Sequence, residues 1–173
     1  MRLARLVPIS SLLAFSWVAH AAEPKIAPVL GPKAVATLGQ PIGFDVGDSG
    51  AIVIQTKDNV YDVGKGAFLF REPLKELAAL TMIGDLVSFV EGGALSLLKD
   101  GKKQLLIRIP LQEVKLAGST RNIFVYGVPA SGTPAMFLFE QGLVYYKLLD
   151  LPAPVDAMAR AGDALFCAIG PQI

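Results

Sequence analysis

Histidine and tryptophan are nearly missing from this 173-residue chain, with one of each, His20 and Trp17. Both fall within the first 21 residues, a segment read below as removed on export, so the remainder has neither. Without histidine a chain cannot build a Ser-His-Asp or Cys-His nucleophile system or a histidine-ligated metal site, which excludes most familiar hydrolase chemistry. The only cysteine is Cys167, so no intramolecular disulfide can form. It sits in the apolar run Ala164-Leu165-Phe166-Cys167-Ala168-Ile169 and reads as a small buried hydrophobe. Charge is sparse and balanced: 16 Lys+Arg face 15 Asp+Glu, and losing Arg2 and Arg5 leaves 14 against 15, a net −1. With no basic stripe, neither nucleic acid nor an anionic membrane surface is an expected partner. No long segment keeps a helical period.

What is present begins with an export signal. Met1, Arg2 and Arg5 put positive charge ahead of an apolar stretch over 6–18, and Ala19-His20-Ala21 is followed by Ala22-Glu23-Pro24. Signal peptidase needs small residues one and three positions before the cut, so Ala19 and Ala21 predict cleavage before Ala22. Pro8, Ser10, Ser11 and Ser16 interrupt the stretch, which falls short of the ~20 apolar residues of a spanning helix. The expectation is a periplasmic or secreted protein with no stable membrane insertion after cleavage. Removing 21 of 173 residues leaves 152, enough for one domain with a sizeable core.

In the mature chain, Pro24, Pro28, Gly31 and Pro32 mark 22–32 as a flexible leader, and 33–173 reads as a repeat domain. Short runs of Val, Ile, Leu, Phe and Tyr alternate with Gly, Asp, Asn and Pro every eight to twelve residues or so, the signature of an all-β fold. Glu72-Pro73-Leu74-Lys75-Glu76-Leu77 resembles Ile109-Pro110-Leu111-Gln112-Glu113-Val114, and a shorter version recurs as Leu151-Pro152-Ala153-Pro154-Val155. The anchors Leu77, Val114 and Val155 are 37 and 41 positions apart. One copy is expected to place strands at 77–81, 86–90, 94–98 and 104–108, with Asp100-Gly101 as the last hairpin turn. The next places them at 114–117, 123–127, 135–139 and 143–148, with a turn at Gln141-Gly142. An earlier copy fits 42–46, 51–55, 60–63 and 67–71.

Four antiparallel strands with a period of about 40 residues are what a β-propeller blade requires. The frame of Asp-Gly, apolar strand, Leu/Ile-Pro, anchor and inner strand resembles the NHL-type and quinoprotein-like propellers of exported bacterial proteins, over roughly 42–169. The repeats lack the Trp-Asp pair of WD repeats and the docking tryptophans of one quinoprotein type. The resemblance implies an all-β fold: a partial β-propeller of four-stranded antiparallel blades, with three copies nearly complete and the fourth ending after its second strand. Closed propellers use four to eight blades. Two uncovered end faces would expose about 600 Å², more than the ~400 Å² patch a soluble monomer tolerates. The chain is therefore expected to be a piece of a longer product, to associate with other chains, or to close by adding 33–38 to its last sheet.

No residue set rises to a catalytic, cofactor-binding or metal motif, and no cofactor is expected. Asp45-Val46-Gly47-Asp48-Ser49-Gly50 and Asp58-Asn59-Val60-Tyr61-Asp62 gather acidic oxygens without calcium-loop spacing and read as turns. Gly64-Lys65-Gly66 lacks the rest of a phosphate loop and reads as a hairpin. Glu72, Glu76, Glu91, Glu113 and Asp156 are loop carboxylates without a pairing signal. Tyr126, Tyr145 and Tyr146 offer rings for sugar stacking, or simply strand residues. The expected function is an exported, non-catalytic binding or scaffolding module with a protein partner, or self-association through open blade faces. The alternative is a fragment of a propeller enzyme, carbohydrate-active or dehydrogenase-like, whose catalytic residues lie outside this chain.

Overall fold

The computed structural model describes residues 30, 36, 38–140, 144–161 and 164–170. Its apolar runs become strands because successive residues point to opposite sides and each side meets a neighbouring sheet. The first sheet holds β1 (Gly43–Val46), β2 (Ile52–Gln55), β3 (Val60–Asp62) and β4 (Ala67–Phe68). The second holds β5 (Leu77–Ile83), β6 (Leu86–Glu91), β7 (Ala94–Lys99) and β8 (Lys102–Arg108). The third holds β9 (Leu111–Gly118), β10 (Asn122–Pro129), β11 (Ala135–Glu140) and β12 (Val144–Asp150), and a two-stranded sheet follows with β13 (Val155–Ala161) and β14 (Ala164–Ile169). In every sheet the strands run in chain order and pair antiparallel. This all-β architecture of four-stranded antiparallel sheets fits a propeller-like repeat.

Boundaries differ from expectation by more than two residues in two places, each for a local reason. The outer strand of the first sheet ends at Phe68, not at 71. The Asn59 side-chain amide donates to the Phe70 carbonyl (3.0 Å) and its Oδ1 accepts the Phe70 N–H (3.3 Å), so Phe70 leaves the ladder and its ring enters the core. The inner strand of the third sheet starts at Leu111, not at 114, because Leu111 and Gln112 pair with Pro129 and Val128 beyond a bulge. Asp100 and Gly101, at φ of 51° and 71°, form the expected hairpin turn between β7 and β8. Gln141-Gly142 lies outside the described residues. The thought that 33–38 extends the last sheet is not supported where residues are described: Leu38 packs on the first sheet, against Ile54 and Tyr61, with Leu30 beside them.

Alternation along each strand feeds two cores. On β6, Val87 and Phe89 join Val53, Val60 and Phe70 between the first and second sheets. The neighbours Leu86 and Val90 turn the other way, toward Ile123, Val125 and Phe139 of the third. Likewise Phe124 and Tyr126 of β10 face the fourth sheet, where Val155, Met158, Leu165 and Ile169 cover them. A strand buried on both faces reads as a continuous apolar run instead of a clean alternation.

The inner strands β1, β5, β9 and β13 pack successively side by side. Near its start β5, β9 and β13 each shift register by one residue, at Leu77/Ala79, opposite Tyr126/Val128 and at Val155/Ala157. Such bulges sharpen the local twist of a strand. Glu76 and Glu113, at equivalent places in the repeat, carry left-handed φ of 54° and 51°. The turns that follow the inner strands are linked in order: Asp48 N–H donates to the Gly84 carbonyl and Gly84 N–H to the Ser119 carbonyl, both at 3.1 Å.

Candidate functional site

Side chains from all four inner strands line two adjoining pockets. The upper, about 430 Å³, is lined by Phe44 and Asp45 of β1, Leu80 of β5, Leu116 of β9, and Met158 and Arg160 of β13. The lower, about 500 Å³, adds Ile42, Gln55, Val114, Lys115 and Ala157. Polar and apolar groups share both linings, with Asp45 and Arg160 in the upper and Gln55 and Lys115 in the lower.

At the upper end one carboxylate organises three sheets. Asp45 Oδ2 accepts from the Thr81 hydroxyl (2.7 Å) and the Met82 N–H (2.8 Å), while Oδ1 accepts the Val46 N–H (2.7 Å). The Thr81 hydroxyl in turn accepts the Gly118 N–H at 2.6 Å. Nearby, Arg160 of the last sheet pairs with Asp48 of the first at 3.4 Å. Donating to Asp45 and accepting from Gly118, the buried Thr81 hydroxyl ties the first three sheets together. Asp45 was expected both in the strand 42–46 and at the head of the turn-like run 45–50; the turn is 47–50, closed by Gly50 N–H to the Gly47 carbonyl (2.9 Å), and Asp45 belongs to β1. The signal that was available is spacing: Asp45 to Thr81 is 36 residues and Thr81 to Gly118 is 37, one repeat each.

The other residues singled out from sequence do not converge. Asp62 caps the Lys65 N–H (3.0 Å) and pairs with its ammonium (3.0 Å), which makes Gly64-Lys65-Gly66 a hairpin turn. Tyr126 is fully buried between the third and fourth sheets, so it has no face for a sugar. Tyr145 stacks on Phe137, centroids 5.3 Å apart, and Tyr146 is exposed. Cys167 is half-buried against the third sheet, and burial pushes its thiol pKa up, away from thiolate chemistry. Among the described residues no three His, Cys, Asp or Glu side chains gather as a metal site would require.

Of the loop carboxylates Glu72, Glu76, Glu91, Glu113 and Asp156, Glu91 pairs with a lysine, Lys103. Burial pushes its pKa up, but the Lys103 ammonium at 2.6 Å and the Lys75 N–H at 2.9 Å outweigh that and hold it below the ordinary 4.5. A lowered folded value stabilises above the unfolded pKa, and that contribution is lost as pH falls through the folded one. Glu91→Gln should therefore melt below wild type at pH 7 and converge with it once pH has fallen below the ordinary carboxylate range, read from thermal midpoints. A constant offset across that range would contradict the assignment.

An uncovered apolar surface lies on the side of the first sheet away from the second. Ile42, Phe44 and Val46 are 62, 74 and 47% exposed. With Ile52, Ile54 and Leu30 they line a groove of about 450 Å³. On the last sheet Phe166, paired with Ala159 on the face away from the third sheet, is 60% exposed. The sequence matches no family model, and no relative is found among curated proteins.

Proposed function

We propose that this chain is an exported, non-catalytic binding module: a partial propeller whose sheets are blades and whose outer blade faces dock a protein partner. The observation that carries this reading is the uncovered strip of Ile42, Phe44 and Val46. Alternation on β1 points Asp45 at the second sheet and these three the other way, so every side chain the strand presents outward is large and apolar. Contiguous apolar surface of this kind marks interaction sites. The two pockets support the propeller reading, since all four inner strands contribute to their lining.

A second copy is the first partner to test, because Phe44 on one end sheet and Phe166 on the other give each molecule two apolar faces for head-to-tail contact. Light scattering after size exclusion should show mass rising with protein concentration. Phe44→Glu should return the protein to a monomer without lowering its melting temperature by more than a degree or two, since an exposed substitution changes stability by about 0.5 kcal/mol or less. A wild type that stays monomeric at millimolar concentration would sink self-association.

A further inference from the structure

Independent of the apolar strip on the first sheet, the fourth sheet presents an open edge. Among the described residues it holds two strands, where each of the others holds four. By order along the repeat β14 corresponds to β6 and β10, and both of those pair on two sides, with β5 and β7 and with β9 and β11. Among the described residues β14 pairs with β13 alone. In an antiparallel pair every second residue turns its N–H and C=O away from the neighbour, so the far edge of β14 is a row of backbone donors and acceptors.

The composition of that edge is the telling point. Proteins blunt the outermost strand of a sheet by shortness, charge or proline. β4 is two residues long, β8 carries Lys102, Lys103 and Arg108, and β12 carries Lys147 and Asp150. β14 is six residues, Ala164-Leu165-Phe166-Cys167-Ala168-Ile169, with no charge and no proline. That composition suits a strand with neighbours on both sides.

The third sheet leaves a matching ledge. On β12, Tyr146 and Leu149 lie opposite Leu138 and Met136, whose β10 partners Phe124 and Tyr126 pack toward the fourth sheet, so both point to that side. They are 41 and 49% exposed. One unit earlier the place of Leu149 is held by Ile107, beside the equivalent bulge, and Ile107 packs into the core shared with the third sheet. Phe137, Phe139 and Tyr145 of β11 and β12 complete that core. The repeat itself thus shows what fits over such a ledge: two further antiparallel strands.

We propose that the β14 edge receives an antiparallel β-hairpin from a different protein, which adds the third and fourth strands of the sheet and sets alternate apolar side chains on Tyr146 and Leu149. Only an extended segment can pair with the exposed backbone, so neither a helix nor a lipid tail satisfies the edge. A second β14, paired antiparallel, would bring its own third sheet to the side where β12 already stands.

A synthetic peptide of residues 94–108, the β7–β8 hairpin, is the probe, because it fills the equivalent place two units earlier. Titrated into the full chain and followed by calorimetry, it should bind at one site, and amide hydrogen exchange over 164–169 should slow in the complex. The peptide carrying Leu97→Pro, which cannot hold the ladder, should not bind. Leu149→Lys in the protein should weaken the peptide about tenfold, the effect of losing part of a leucine's burial. At an exposed position it should leave the thermal midpoint of the free protein within a degree or two. Phe44→Glu should bind the peptide as wild type does, which separates this edge from the strip on the first sheet. No saturable binding at millimolar peptide, protection confined to other strands, equal binding of the proline peptide, or unchanged affinity in Leu149→Lys each overturns the proposal. So does protection of 164–169 that rises with protein concentration in the absence of peptide, which would assign the edge to a second copy.

Discussion

Gly118→Ala is expected to lower the unfolding free energy by about 3 kcal/mol, the upper part of the range for overpacking, measured by urea denaturation. A Cβ at this position would sit 1.7 Å from the Met82 carbonyl oxygen and 2.9 Å from Thr81 Oγ1. The obstacle is backbone, which cannot swing aside as a side chain would. Relief would require β9 to back away from β5, breaking the 2.6 Å bond from Gly118 N–H to Thr81 and loosening Thr81 from Asp45. Gly64→Ala is the matched control: its φ is not in the left-handed region and a Cβ there meets only Asp62 Oδ1, at 3.4 Å. That change should fall within about 1 kcal/mol of wild type. Equal stability of the two variants would mean that the inner strands do not approach as described.

Phe89→Ala should cost about 4 kcal/mol, through lost transfer energy and the cavity left behind. Phe89 is wholly buried between the first and second sheets, edge-on to Phe70 with centroids 5.2 Å apart, and it packs with Val53, Val60 and Val87. Phe166→Ala removes the same side chain from an exposed face and should change stability by about 0.5 kcal/mol or less. If both variants lose the same stability, the assignment of inward and outward faces fails.

The repeat and its strands were legible because local patterns determine them. Leu-Val-Ser-Phe-Val over 86–90 can only be a strand once Gly84 and Gly92 bracket it, and Asp100-Gly101 dictates its own hairpin. What could not be read depends on side chains meeting across sheets. Asn59 ends β4 by capturing the backbone of Phe70, 11 residues away, and nothing near 67–71 announces it. Asp45 lies near the end of the expected strand 42–46 but also opens the run Asp-Val-Gly-Asp-Ser-Gly, which has the composition of a turn. Its partners lie a repeat away, so its role appears only when the 37-residue spacing is applied to polar residues as well as to anchors.

The linked turns have an evolutionary corollary. Asp48 binds Gly84 and Gly84 binds Ser119, so each unit is recognised by its successor through the same backbone groups. A duplication or loss of one whole unit would hand the next unit an equivalent acceptor and an equivalent apolar face, in the manner of stacked repeats. Length can then change in steps of about 37 residues with little penalty, whereas a gain or loss of a single residue inside an inner strand would put every later side chain on the wrong side.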